Sequence, residues 1–129
     1  MINYEDAKAK IYQYFEDNIE FFKKHNPLYE KYEIIFWEKY TVEFERGWFI
    51  RYGPGLPLPG VPFPKDPVHS TGGKILIVDK CIPQCIEMWD RVLPESLIKV
   101  YMSTYTKGIE VFKETARFGQ TAEILPIKW

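Results

Sequence analysis

The chain has 129 residues and a formal net charge of −1. That length can bury about two thirds of the unfolded surface as one domain without metal or disulfide support, and the near-neutral charge excludes the strongly basic balance of a typical nucleic-acid binder. Two cysteines exclude a disulfide framework, and no leader-like segment or apolar run near ~18 residues is present, so a cytoplasmic protein with neither membrane nor nucleic-acid partners is expected.

Asn3 is placed to cap a helix over "NYEDAKAKIYQYFEDNIEFFKKHNP", with Glu5 and Asp6 in the first turn, Lys23 and Lys24 near the end, and a stop before Pro27. Tyr4, Ala7, Ile11, Tyr14 or Phe15, and Phe22 recur at three or four residues and give one apolar stripe and one charged face. Residues 1–45 hold ten acidic side chains against six basic ones, a mildly acidic bias that suits either solvent or a partner's basic patch.

The period then changes to two. Tyr40, Val42 and Phe44 alternate with Thr41, Glu43 and Glu45, and the "ERG" before Trp48 carries a glycine of the kind a tight turn uses. This predicts an antiparallel hairpin of residues 40–44 with 48–52. The preceding "EIIFW" is strand-like as a separate strand or a continuation. Trp48, beside the turn glycine, is expected in the core; Trp37 and Trp89 read as core rings or as exposed anchors.

Residues 53–73, "GPGLPLPGVPFPKDPVHSTGG", hold six of ten prolines and five of eight glycines, and read as one interruption longer than any hairpin needs. Proline lowers the conformational entropy of a free loop, so such a segment loses less on docking than a Gly/Ser loop. Leu56, Leu58, Val61 and Phe63, spaced among the prolines, are the candidate partner-binding residues; the competing reading is a stiff loop folded back over the sheet.

"KILIVDK" reads as a central strand, "CIPQ" as a turn, and "CIEMWD" as the next strand, with Ile86, Met88 and Trp89 as packing residues. Pro94 opens a helix continued by Leu97, Ile98, Tyr101, Tyr105, Ile109 and Phe112, which Gly108 can split in two. The tail "TAEILPIKW" is too short and Pro-interrupted to classify. The fold class is α+β: an antiparallel sheet of three to five strands packed against an N-terminal helix and one or two C-terminal helices, all in one domain.

Chemistry-bearing patterns are weak. Cys81 and Cys85 with His69 lack the second ligand pair of a zinc site, so no metal or cofactor is expected and both thiols read as small buried residues. His69, Asp66 and Ser70 can be drawn as part of a triad, but no nucleophile-elbow signature surrounds them, and "STGGK" lacks the spacing of a phosphate loop. No catalytic residue is assigned. A small enzyme or ligand-binding domain with a pocket near His69 and Asp66 is the alternative function.

The order helix, strand, "ERGWFIRY", Pro/Gly loop, "ILIVDK", turn, strand, helix resembles the immunity protein 35 family, encoded beside bacterial polymorphic toxins. Gly47 and Trp48 with the aromatic strand after them, and Ile77, Val78, Asp79 and Lys80, carry the resemblance over residues 1–107. In this chain "CIPQC" replaces a glycine-containing turn, the loop is longer and richer in proline, and residues 108–129 extend past the family's ordinary end. The resemblance implies a non-enzymatic cytoplasmic antidote whose partner is a cognate toxin protein, and it gives Gly47, Trp48, Val78, Asp79 and Lys80 structural roles.

Overall fold

The computed structural model describes residues 1–63, 73–89, 92–117 and 119–129. Helix α1 spans Tyr4–Asp17. Its cap is the expected one: the Asn3 side chain accepts the Asp6 N–H at 2.8 Å, satisfying a donor that the first helical turn leaves free. The helix does not run unbroken to His25. Asn18 takes the Tyr14 carbonyl with its own amide at 2.9 Å, a side-chain bond that competes with helix continuation, and a second helix, α2, follows over Ile19–His25.

Among the described residues six strands form one antiparallel sheet: β1 Tyr32–Phe36, β2 Val42–Phe44, β3 Gly47–Pro57, β4 Lys74–Asp79, β5 Gln84–Trp89 and β6 Glu123–Ile124. The order is β1-β3-β4-β5-β6, with β2 also paired to β3. The predicted hairpin is therefore only part of the arrangement. Val42–Phe44 pair with Gly47–Phe49, whereas Phe36 pairs with Tyr52 and Ile35 with Gly53. β1 and β2 are two pieces of one edge, separated by a 3-10 turn over Glu38–Tyr40 that removes Tyr40 from the ladder.

The segment read as a loop from residue 53 begins as strand. Gly53–Pro57 extend β3 and pair with β1. Glycine at 53 and 55 makes this possible, because a Cβ at Gly53 would overlap the Trp37 ring and one at Gly55 the Ile35 side chain. Prolines sit there without breaking the sheet because a strand end tolerates residues lacking an N–H.

Both faces are covered. Trp48, Ile50 and Tyr52 of β3 turn toward Ala7, Ile11, Phe15 and Phe22 of α1 and α2. Phe49 turns the other way, with Ile75, Ile77, Ile86 and Met88, toward α3 (Pro94–Thr104) and α4 (Ile109–Thr115), which supply Leu97, Tyr101 and Phe112. Double coverage explains the continuous apolar run in β4. Gly108, at φ +95°, separates α3 from α4 in a conformation that only glycine adopts readily. Of the two readings open for Trp89, the structure takes the exposed one: it is 38% exposed, with the Lys74 ammonium 5.2 Å from its ring. The tail adds β6 and then binds back, Leu125 N–H donating to the Cys85 carbonyl at 2.9 Å. No described helix is long and apolar enough to cross a membrane.

Candidate functional site

The five motif residues meet at one end of the sheet. Gly47 pairs with Asp79 and Trp48 with Val78 across β3 and β4. Gly47 is not there for a turn conformation. A Cβ on it would overlap the Val78 carbonyl, so the residue is required by the close approach of two strands. The Lys80 N–H donates to the Arg46 carbonyl at 2.7 Å, and the Lys80 carbonyl accepts the Ile2 N–H at 3.0 Å, which ties the β2–β3 turn, the β4–β5 turn and the N-terminus together.

Asp79 is the centre of this hub and is fully buried. Its carboxylate accepts Arg46 Nε at 3.1 Å and Nη2 at 3.4 Å, the N–H groups of Cys81 and Ile82 at 2.8 and 2.9 Å, and the Tyr101 hydroxyl. The two backbone bonds close an Asx-type turn after β4. Arg46 lies over the Tyr105 ring at 3.9 Å, and Gln84 donates to the Tyr101 hydroxyl at 2.9 Å. Burial, and then the bond to Asp79, push the Tyr101 pKa well above that of a free tyrosine.

A second buried carboxylate, Glu87, lies on the α1 face toward the opposite end. It accepts the Tyr52 hydroxyl and Lys74 Nζ at 2.8 Å. Burial, followed by the charge of Glu87, raises the Tyr52 pKa and pushes Tyr29 up to about 12. Both carboxylates are held by donors of the chain itself. They act as fasteners between strands, turns and a helix. Sequence reasoning missed Arg46, Tyr52, Lys74, Glu87 and Tyr101 as partners, because residues 13 to 35 positions apart leave no local pattern.

Beyond this cluster β3 continues past its described β4 partner. Among the described residues, the β3–β4 ladder ends at Tyr52 and Lys74, while Gly53, Pro54 and Pro57 pair with β1 across a register shift between Tyr32 and Ile34. The Pro59–Gly60 pair then turns the chain, with the Val61 N–H donating to the Leu58 carbonyl at 3.0 Å and Gly60 at φ +85°, the features of a type II turn. Leu58 N–H is anchored on the Lys31 carbonyl at 2.8 Å. Of the four candidate binding residues, Leu56 and Phe63 are 61% and 77% exposed, while Leu58 and Val61 are half-buried.

Other sequence candidates are scattered. Cys85 is buried, its thiol pKa raised by desolvation, but Cys81 is exposed on the turn, contrary to the expectation of two buried thiols. His69, Asp66 and Ser70 lie outside the described residues. Among the described residues no group of three or more His, Cys, Asp or Glu is disposed to hold a metal. An open cleft of about 690 Å³ beside the hub is lined by Ile2, Tyr4, Glu38, Glu43, Trp48 and Lys80. Its charges are matched internally, Glu38 by Lys8 and the Tyr4 hydroxyl and Glu43 by Lys80 at 3.4 Å. No protein-family model, curated protein or solved structure matches the chain.

Proposed function

We propose that the protein is an antitoxin-type immunity protein of the bacterial cytoplasm that binds a cognate toxin domain and neutralises it by occlusion. The observation that carries this reading is the overhanging end of β3. Leu56 and Phe63 stand exposed on a backbone stiffened by Pro54, Pro57, Pro59 and Pro62 and anchored at Leu58. An ordered apolar projection loses little entropy on docking, and one large ring in a partner's pocket can dominate an interface. The resemblance carried by Gly47, Trp48, Val78, Asp79 and Lys80 supports the same reading from a separate part of the molecule and supplies the class of partner.

The test is co-expression with the C-terminal domain encoded by a large neighbouring reading frame, followed by affinity measurement on the purified pair. Protection of the host and a stable complex are expected. Leu56→Ser combined with Phe63→Ser should weaken binding about tenfold or more, equivalent to about 1.4 kcal/mol. A parent chain that gives neither protection nor binding overturns the function, and parental affinity in the double variant overturns the surface.

A further inference from the structure

Trp37 stands where the sheet edge breaks between β1 and β2, and its indole lies against Gly53 of β3 and Gly73 just before β4. A side chain at Gly53 would overlap the ring, and one at Gly73 would stand in ordinary contact, 3.7 Å from the ring. The indole Nε1–H donates to the Pro54 carbonyl at 3.2 Å, and the Trp37 backbone N–H donates to the Arg51 carbonyl at 2.8 Å. These contacts fall where the described β4 ladder stops, after Tyr52. Pro54 has no N–H to continue that ladder, and the indole occupies its carbonyl. A backbone stretch furnished in this way is unsuited to pairing with an incoming strand.

We propose that Trp37 is the positioning residue of the Leu56–Phe63 surface: a clasp that fixes the overhanging end of β3 and presents its side chains, rather than its backbone edge, to a partner. This role takes its purpose from reading Leu56–Phe63 as the binding surface, but it is tested without a partner, so a failed clasp and a failed interface give different results.

The test is native-state hydrogen exchange on the full chain. The amides of Leu58 and Val61, bonded to Lys31 and Leu58 carbonyls, report the order of the overhang, and those of Ile77 and Val78 in β4 report the sheet. Trp37→Ala should accelerate exchange at Leu58 and Val61 by about tenfold or more and leave Ile77 and Val78 at parental rates, as expected for a local opening. Gly53→Ala should do the same by displacing the ring, and should add nothing in the Trp37→Ala background. Trp37→Phe, which keeps a ring and loses the N–H, should give an intermediate acceleration, and it decides the matter if Trp37→Ala does not fold. Parental exchange at Leu58 and Val61 in Trp37→Phe, acceleration spread equally over β4, or a full additional effect of Gly53→Ala in the Trp37→Ala background would each overturn the clasp.

Discussion

At its Gly47 end β3 is enclosed: β2 and β4 flank it, the Val78 carbonyl excludes any side chain at Gly47, and the Arg46–Asp79 pair locks the adjoining turns. At its Pro57 end the same strand runs beyond the described β4 ladder, keeps β1 as its neighbour, and carries Leu56 out to solvent. The contrast separates two uses of one strand. Where polar groups are buried and fully bonded, a change propagates into the fold; where apolar groups are exposed on a stiff backbone, a change is felt only by whatever docks there.

The largest effect belongs to the hub. Asp79→Ala leaves the N–H groups of Cys81 and Ile82 and the Tyr101 hydroxyl without their acceptor and removes the partner of Arg46. A loss of about 3–5 kcal/mol is expected, the range for removing one member of a buried charged cluster. Urea unfolding measures it; a loss under about 1 kcal/mol would mean that the hub is not what holds this end of the sheet.

Gly47→Ala tests the same end through packing alone. The new methyl group meets the Val78 carbonyl, which is backbone and cannot rotate away, so β3 and β4 must separate locally. Overpacking of this kind costs about 1–3 kcal/mol, occasionally more. Gly60→Ala is the counterpart in the overhang, where nothing lies within 4 Å of the added atom and only the φ of +85° resists it. An equal or larger loss at Gly60 than at Gly47 would reverse the comparison between the two ends.

The sequence was legible where structure is set by neighbours along the chain. The Asn3 cap, the Ala7, Ile11 and Phe15 stripe, the apolar run of β4 and the break at Gly108 all follow from spacing and local backbone preference. It was misleading where a distant residue decides. Gly53 and Gly55 look like loop, yet they lie in a strand whose glycines leave the space that Trp37 and Ile35, about twenty residues earlier, occupy. Gly47 reads as a turn residue until β4 is beside it. Asp79 and Arg46, 33 positions apart, carry no joint signal, and Tyr101 reads as one more apolar-stripe residue until its hydroxyl is seen on Asp79. The exposed pair Leu56 and Phe63 was visible as apolar residues among prolines, but their exposure depends on where β3 passes its described β4 partner.

Alkali sharpens the comparison at the base of the overhang. Tyr29 is pushed up to about 12 by burial and then by Glu87, against about 10 in an unfolded chain. The fold therefore favours the neutral phenol. Below about pH 10 both states are protonated and the contribution is complete; above it the unfolded chain ionises first, and stability falls until the folded state also ionises near pH 12. Tyr29→Phe should flatten the stability profile over that window, measured by urea midpoints at successive pH values. An unchanged slope would show that Tyr29 ionises alike in both states.

The smallest effect on stability is expected from Leu56→Ser with Phe63→Ser, the pair whose loss should weaken partner binding most. Both side chains are more than half exposed, so replacing them removes little buried area, and exposed substitutions away from caps and packed sites generally stay within about 0.5 kcal/mol. The anchor of the overhang, Leu58 N–H on the Lys31 carbonyl, is backbone and survives the change. Thermal unfolding of the variant should therefore coincide with the parent within a few degrees, in contrast to Asp79→Ala. If instead the melting temperature falls as it does for a hub variant, Leu56 and Phe63 are packed in solution, and the Pro57 end of β3 is a cover over the sheet rather than a projection from it.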